Sequence, residues 1–224
     1  MIVGALADIH GNLSALEAVL SHMPPVDVLV CAGDVIGYYP YSNEVCERIR
    51  GIEAAVVRGN HDAYVTGLLP PDPAKIGAYR TDWIRERLDE SHLRWLKSLP
   101  IEMHFQWGPG RLCIRHASPW DEETYLYPDS PHLDRVRLQA GEILLLGHTH
   151  RPLVRACGDG LLVNPGSVGQ PRDWNPMAAY ALLDTETGSV TLRRVPYDVA
   201  GLQRELTQMN WEAGTIEILS RSRG

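Results

Sequence analysis

A chain of 224 residues, 44% of them hydrophobic, can bury one substantial core and is expected to form a single domain over 1–224. No apolar run approaches the roughly 20 residues of a membrane helix, and the opening MIVGALADIHGN reaches Asp8 and His10 too early for a secretory leader, so the expected location is the cytoplasm. The formal net charge of −7 disfavours a long nucleic-acid partner, because affinity for a phosphate backbone comes from clustered Lys and Arg, and leaves a small nucleotide or another small anion open.

Residues 2–7 form an apolar run ending in Asp8, and 26–32 form another ending in Gly33-Asp34. Both read as buried parallel strands. Between them Asn12 or Ser14 can cap a helix whose apolar positions Leu13, Leu16, Val19 and Leu20 recur at helical spacing, and Pro24-Pro25 stops it, which gives a βαβ unit. A second unit follows, with a helix over 43–50 and a strand over 53–57 that runs out at Arg58-Gly59-Asn60-His61-Asp62. Over 70–100 the pattern turns helical, with Ile76, Tyr79, Trp83, Ile84, Leu88, Leu93, Trp95 and Leu96 as apolar members, and predicts a helical hairpin or cap beside the site. Strands are then expected over 111–115, 142–146, 153–155, 161–163, 179–184 and 189–195, and residues 185–188 read as the hairpin turn joining the last two. Residues 220–224 are expected to fray. Cys31, Cys46, Cys113 and Cys157 contain no CxxC pair and read as ordinary thiols.

Asp8, His10, Asp34, Asn60, His61, His116, His148 and His150 share one setting. Each lies just after an apolar strand, in a loop with Gly or another small residue. In an open α/β sheet, ligands gather beyond the carboxyl ends of the strands, so residues distant in sequence converge there. Carboxylate, amide oxygen and imidazole together suit borderline divalent metals such as Mn²⁺, Fe²⁺, Zn²⁺ or Ni²⁺, whereas an all-oxygen shell suits Mg²⁺ or Ca²⁺.

The ordered series Asp8-x-His10, Gly33-Asp34, Gly59-Asn60-His61-Asp62, His116-Ala117 and Gly147-His148-Thr149-His150 resembles the calcineurin-like metallophosphoesterase superfamily. The flanking text GDVIGYYP from Gly33, HASPWDE from His116 and NPGSVGQPRD from Asn164 further resembles its small prokaryotic branch of YfcE-like phosphodiesterases. That resemblance implies a four-layer α/β/β/α sandwich, two mixed sheets face to face with helices outside. It implies one divalent metal on Asp8, His10, Asp34 and His150 and a second on Asp34, Asn60, His116 and His148, with Asp34 bridging. It implies hydrolysis of a small phosphodiester by a hydroxide shared between the cations, with His61 contacting the substrate and protonating or stabilising the leaving oxygen. Asp62 is expected to orient His61, since a carboxylate on the other ring nitrogen fixes tautomer and basicity. Phosphomonoester or phosphoprotein hydrolysis are the alternatives, and a homodimer is compatible. The rival from another class is a non-catalytic scaffold; the retromer scaffold subunit resembles this fold but lacks the catalytic histidine, whereas His61 and every metal position are present here.

Four further residues stay open between two readings. Asn12 fits a helix cap or a substrate contact. Tyr38 and Tyr39 follow Asp34 and fit either the pocket wall or a turn beside Pro40. Arg172 fits either a bidentate grip on phosphate or a surface pair with Asp173.

Overall fold

The computed structural model describes residues 1–108 and 110–222, so Arg223 and Gly224, part of the stretch expected to fray, lie outside the described residues. Strand β1 (Ile2–Leu6) pairs in parallel with β2 (Val28–Cys31), and β2 pairs in parallel with the short β3 (Ala55–Val56). The helices between them are α1 (Leu13–His22) and α2 (Ser42–Gly51). Asn12 caps α1, its Oδ1 accepting from the amide of Ala15 at 3.1 Å, and Met23 leaves the helix in an extended conformation before Pro24. Ala15, Leu16 and Val19 of α1 and Val45, Cys46 and Ile49 of α2 recur every three or four residues, which turns one face of each helix onto the sheet.

Two mixed five-stranded sheets result. The first has the order β10-β9-β1-β2-β3, closed by the hairpin of β9 (Ala178–Asp184) and β10 (Ser189–Val195). The second is built from β4 (Glu102–Trp107), β5 (Gly110–Arg115), β6 (Glu142–Leu145), β7 (Leu153–Cys157) and β8 (Gly160–Asn164) in the order β4-β5-β6-β8-β7. Val3, Ala5, Val30 and Leu183 of the first sheet meet Leu112, Ile114, Leu145 and Val163 of the second. Burying each such Leu, Ile or Val side chain contributes about 1.5–3 kcal/mol.

The outer face of the first sheet carries the helical layer. Helix α3 (Asn60–Thr66) begins where β3 runs out, a helix that the strand-ending motif concealed. The expected hairpin over 70–100 is instead three short helices, α4 (Ile76–Tyr79), α5 (Thr81–Arg87) and α6 (Glu90–Ser98). Arg80 breaks the run with a left-handed φ of 56°, and extended Leu88 breaks it again. Strand β4 and the C-terminal helices α7 (Val199–Gln208) and α8 (Ala213–Glu217) were not anticipated. The outer face of the second sheet has only a thin cover, in which Leu126, Leu133 and Val136 pack on Leu144, Leu146 and Leu162, the last two of the three covering residues lying in or beside the 3-10 turn Pro131–Arg135.

Candidate metal centre

The loops that leave β1, β2, β5 and β6 meet at one end of the stacked sheets and are stitched together by their backbones. Asp8 N donates to Gly33 O at 3.0 Å, His10 N to Asp34 O at 2.9 Å, and Gly147 N to His116 O at 2.8 Å. Glycine is required where strands approach this closely: Gly33 has a φ of +87°, and a Cβ there would lie 2.7 Å from Gly59 N and 2.8 Å from His116 Nδ1. Asp8, His10, Asp34, His148 and His150 themselves have left-handed backbones, with φ of 55°, 54°, 56°, 67° and 56°. Non-glycine residues adopt that region at a cost of order 1–3 kcal/mol each, and such strain gathers at functional sites.

Seven side chains anticipated from the sequence are brought together here, all buried: Asp8, His10, Asp34, Asn60, His116, His148 and His150. Ligand atoms of Asp8, His10, Asp34 and His150 lie within 4.8 Å of one another. Asp34 Oδ2 stands 3.6 Å from His10 Nε2 on one side and 3.2 Å from His116 Nε2 on the other. On that second side Asn60 Oδ1 lies 2.9 Å from both His116 Nε2 and His148 Nδ1.

The hydrogen bonds around the cluster decide which atoms face inward. His116 Nδ1 sits 2.7 Å from Ala32 O, His148 Nε2 3.0 Å from Glu123 O, and His150 Nδ1 2.6 Å from Gln170 O. Each carbonyl can only accept, so it holds a proton on that nitrogen and turns the other nitrogen into the centre. Asp8 Oδ1 accepts from His148 N at 2.9 Å and Asp34 Oδ1 from His61 N at 2.8 Å, while Asp8 Oδ2 and Asp34 Oδ2 are buried without a partner. Carboxylate oxygens, an amide oxygen and imidazole nitrogens therefore converge, and such a set fits divalent cations in number, charge and chemistry. His10 Nδ1 is also buried with no described partner.

Burial, and then the charge of Asp34, push the Asp8 carboxyl up. Burial also lowers His61 to about 4 and His148 to about 3. Burial opposes the charging of His116, yet the adjacent Asp34 carboxylate outweighs it and raises His116 to about 9. The two sets of charges thus lean on each other, and added positive charge at the centre relieves the carboxylates.

His61 lies beside the cluster, its ring 4.8 Å from that of His10 and packed against Tyr38 at 4.6 Å and Tyr79 at 4.4 Å. Asp62 does not face that ring, contrary to the orienting role expected of it. Its carboxylate accepts from Asp34 N at 3.0 Å, Ile36 N at 3.1 Å and Gly59 N at 2.9 Å, tying the β2 loop to the start of α3. The two open readings of Asn12 resolve toward the fold: it is fully buried, caps α1 and donates to Gly169 O at 2.8 Å and Tyr197 OH at 3.2 Å. Tyr39 is also fully buried, its hydroxyl donating toward Thr215 O and accepting from Gln170. Tyr38 and Arg172, with Tyr79, Tyr125 and Lys75, line a pocket of about 300 Å³ that opens next to the centre. Arg172 donates to Tyr38 OH at 2.9 Å and to Gln170 Oε1, whereas Asp173 pairs with Arg194.

Sequence reasoning missed the loop that follows His116. Tyr125 stacks on the His148 ring at 3.8 Å, Glu123 O receives the His148 proton, and Tyr64 OH donates to Glu123 Oε1 at 2.6 Å. No motif signals these contacts, because they depend on how a loop lies over another strand's end.

Two stacked mixed sheets that gather aspartate, asparagine and histidine at one end define a metal-dependent phosphoesterase fold and site. The profile of the calcineurin-like phosphoesterase superfamily domain matches residues 1–188, and the chain belongs to that family of hydrolases, whose members use divalent metals. A probable metallophosphoesterase of Methanothermobacter thermautotrophicus is 37% identical over 190 residues, 83% of this chain and 88% of that protein. The phosphodiesterase YfcE of Escherichia coli is 29% identical over 196 residues, 82% of this chain and 88% of that protein. A metallophosphoesterase from Sphaerobacter thermophilus superimposes with a TM-score of 0.82 at 30% identity, covering 99% of this chain and 98% of that one.

Proposed function

We propose that this protein hydrolyses a small phosphodiester at a centre of two divalent cations, Mn²⁺, Fe²⁺, Zn²⁺ or Ni²⁺. The observation that carries the reading is the convergence of carboxylate, amide and imidazole groups in two sets that share Asp34. Asp8, His10, Asp34 and His150 would hold one cation, and Asp34, Asn60, His116 and His148 the other. Bound there, the cations would make water acidic enough to supply hydroxide near neutral pH and would neutralise phosphoryl oxygens.

The chain's own residues do the rest. His61 presents its ring to the pocket side of the centre, where it donates a proton or hydrogen bond to the departing oxygen. Arg172 offers its guanidinium to a non-bridging phosphate oxygen, with Tyr38 and Gln170 holding it in place. Tyr38 and Tyr79 form the wall against which the leaving group rests. Relatedness to a phosphodiesterase favours a diester over a monoester. Residues 1–224 act as one domain in the cytoplasm in this reading, since β9 and β10 complete the sheet that β1 begins, and the helices within 70–100 cap the site through Tyr79.

The test is hydrolysis of bis-p-nitrophenyl phosphate and p-nitrophenyl phosphate by metal-stripped protein refilled with each metal. Metal-dependent turnover of the diester is expected, lost in Asp34→Asn together with metal content. His61→Ala should lower turnover about 10²–10⁴-fold with metal content unchanged. No turnover under any metal would instead support a non-catalytic scaffold.

A further inference from the structure

The outer face of the second sheet, on the thinly covered side, carries a groove of about 400 Å³ distinct from the metal centre. Its floor is set by strand alternation. Met103, Phe105, Leu112 and Ile114 point into the core, so Glu102, His104, Arg111, Cys113 and Arg115 point out. Trp120 and the segment Arg135 to Leu138 form the opposite wall.

The groove is cationic in a protein of net charge −7. Four arginines line it against two glutamates. Glu142 pairs with Arg111 and Glu102 with Arg115, whereas Arg135 and Arg137 have no carboxylate partner among the described residues. Arg135 lies over the ring of Trp120 at 4.3 Å, and Arg137 donates only to the carbonyls of Asp134 and Val136. Trp120 is 39% exposed, and Cys113, Val136, Leu138 and Leu144 supply apolar surface beside the charges. Glu102, His104 and Cys113 come within 4.8 Å of one another, a set that could attract a metal ion, but Arg115 already holds Glu102 at 2.8 Å and the surplus arginines favour an anion.

The wall of this groove is also the loop that reaches the metal centre. Ser118 Oγ accepts from Trp120 N at 3.2 Å and Asp121 N at 3.0 Å, which folds the loop into a tight turn. Immediately beyond, Arg58 grips Glu122 at 2.9 Å, Tyr64 grips Glu123, and Glu123 O takes the His148 proton. A ligand that moved Trp120 would therefore act on the carbonyl that orients His148, three residues along the chain.

We propose that this groove binds a small phosphorylated metabolite with a planar apolar group, of the nucleoside-phosphate class, and that its occupancy changes turnover at the metal centre through the 118–125 loop. The phosphate meets Arg135 and Arg137, and the planar group meets Trp120 and the apolar floor. The proposal rests on the phosphoesterase reading only for its turnover readout, since binding is measured separately.

The probes are α,β-methylene-ADP, which resists hydrolysis between its phosphates, and inorganic phosphate, each titrated calorimetrically into the metal-loaded protein and into Asp34→Asn. The expected result is saturable α,β-methylene-ADP binding that Asp34→Asn retains, that weakens about tenfold or more in Arg135→Glu/Arg137→Glu and in Trp120→Ala, and that alters bis-p-nitrophenyl phosphate turnover by the parent but not by the double variant. Both exposed arginines can be reversed without touching the core, and circular dichroism checks the fold. The proposal is overturned by absence of saturable binding, by binding that Asp34→Asn abolishes and charge reversal spares, by inorganic phosphate binding as tightly as the nucleotide, or by occupancy that leaves turnover unchanged. An inactive parent enzyme would sink the phosphoesterase reading while the binding arms still decide whether the groove takes this ligand.

Discussion

Replacing Asp62 is the most searching test of how the centre is assembled. Its carboxylate accepts three buried amide protons, from Asp34, Ile36 and Gly59, and two of the elements so joined deliver Asp34 and Asn60 to the cluster. Hydrogen bonds to a charged acceptor contribute about 1.5–3 kcal/mol each, and Asp62→Ala leaves all three donors without a partner. Removing the carboxylate also removes the cost of burying its charge, so the net loss expected is about 4 kcal/mol rather than the full sum. In Asp62→Asn, one amide oxygen can still serve Asp34 and Gly59, which share Oδ2, while the NH₂ group confronts the Ile36 donor. A loss of about 2 kcal/mol is expected there. Urea unfolding followed by circular dichroism on chelator-treated protein measures both, because bound metal would otherwise add its own binding energy to the folded state. A loss below about 1 kcal/mol in Asp62→Ala, or an Asn variant no better than the Ala variant, would refute the account of Asp62 as the clasp between the two loops.

Gly59→Ala should reduce metal content sharply and also lower stability, since a Cβ there collides with both the carboxylate and the backbone nitrogen of Asp34; metal analysis of purified protein beside its thermal unfolding checks this. If the centre holds two cations as proposed, Tyr64→Phe, which frees Glu123, should weaken the one beside His148 about tenfold while sparing the other, as read by chelator competition. Native protein should react with a thiol reagent at half-buried Cys113, whose thiol burial pushes up and so slows, while fully buried Cys31 and Cys46 respond only in denaturant. Mass spectrometry of the labelled peptides identifies them, and early labelling of Cys31 would contradict the packing described.

The centre was legible because each donor follows an apolar strand, and parallel strands in one sheet must end together. The βαβ periodicity, which sets β1, β2 and β3 parallel, therefore brings Asp8, Asp34 and Asn60 to the same sheet end. Strand β4 escaped notice although Met103, Phe105 and Trp107 alternate with Glu102, His104 and Gln106, because its outward face is polar enough to pass for a loop. Arg172 illustrates a second limit. Its sequence neighbour Asp173 invited a local ion pair, yet β10 brings Arg194 to that carboxylate and leaves Arg172 to Tyr38. Asp62 shows a third, since adjacency to His61 suggested a ring contact whereas the helix that starts at Asn60 turns the carboxylate back toward its own N-terminus. The C-terminal helices bring Trp211 to Tyr38, its indole donating to Tyr38 O at 2.7 Å, a contact across 173 positions that no local pattern encodes.

The five left-handed residues at the centre have a consequence for how such a protein can change over generations. Each is a place where glycine or asparagine would sit with less strain, so the bare fold would gain stability by discarding the very side chains proposed to hold the cations. On the proposed reading, function and thermal robustness pull in opposite directions at Asp8, His10, Asp34, His148 and His150, all of which have positive φ. A descendant released from the need for metal would drift toward glycine there first, and would become sturdier as it fell silent.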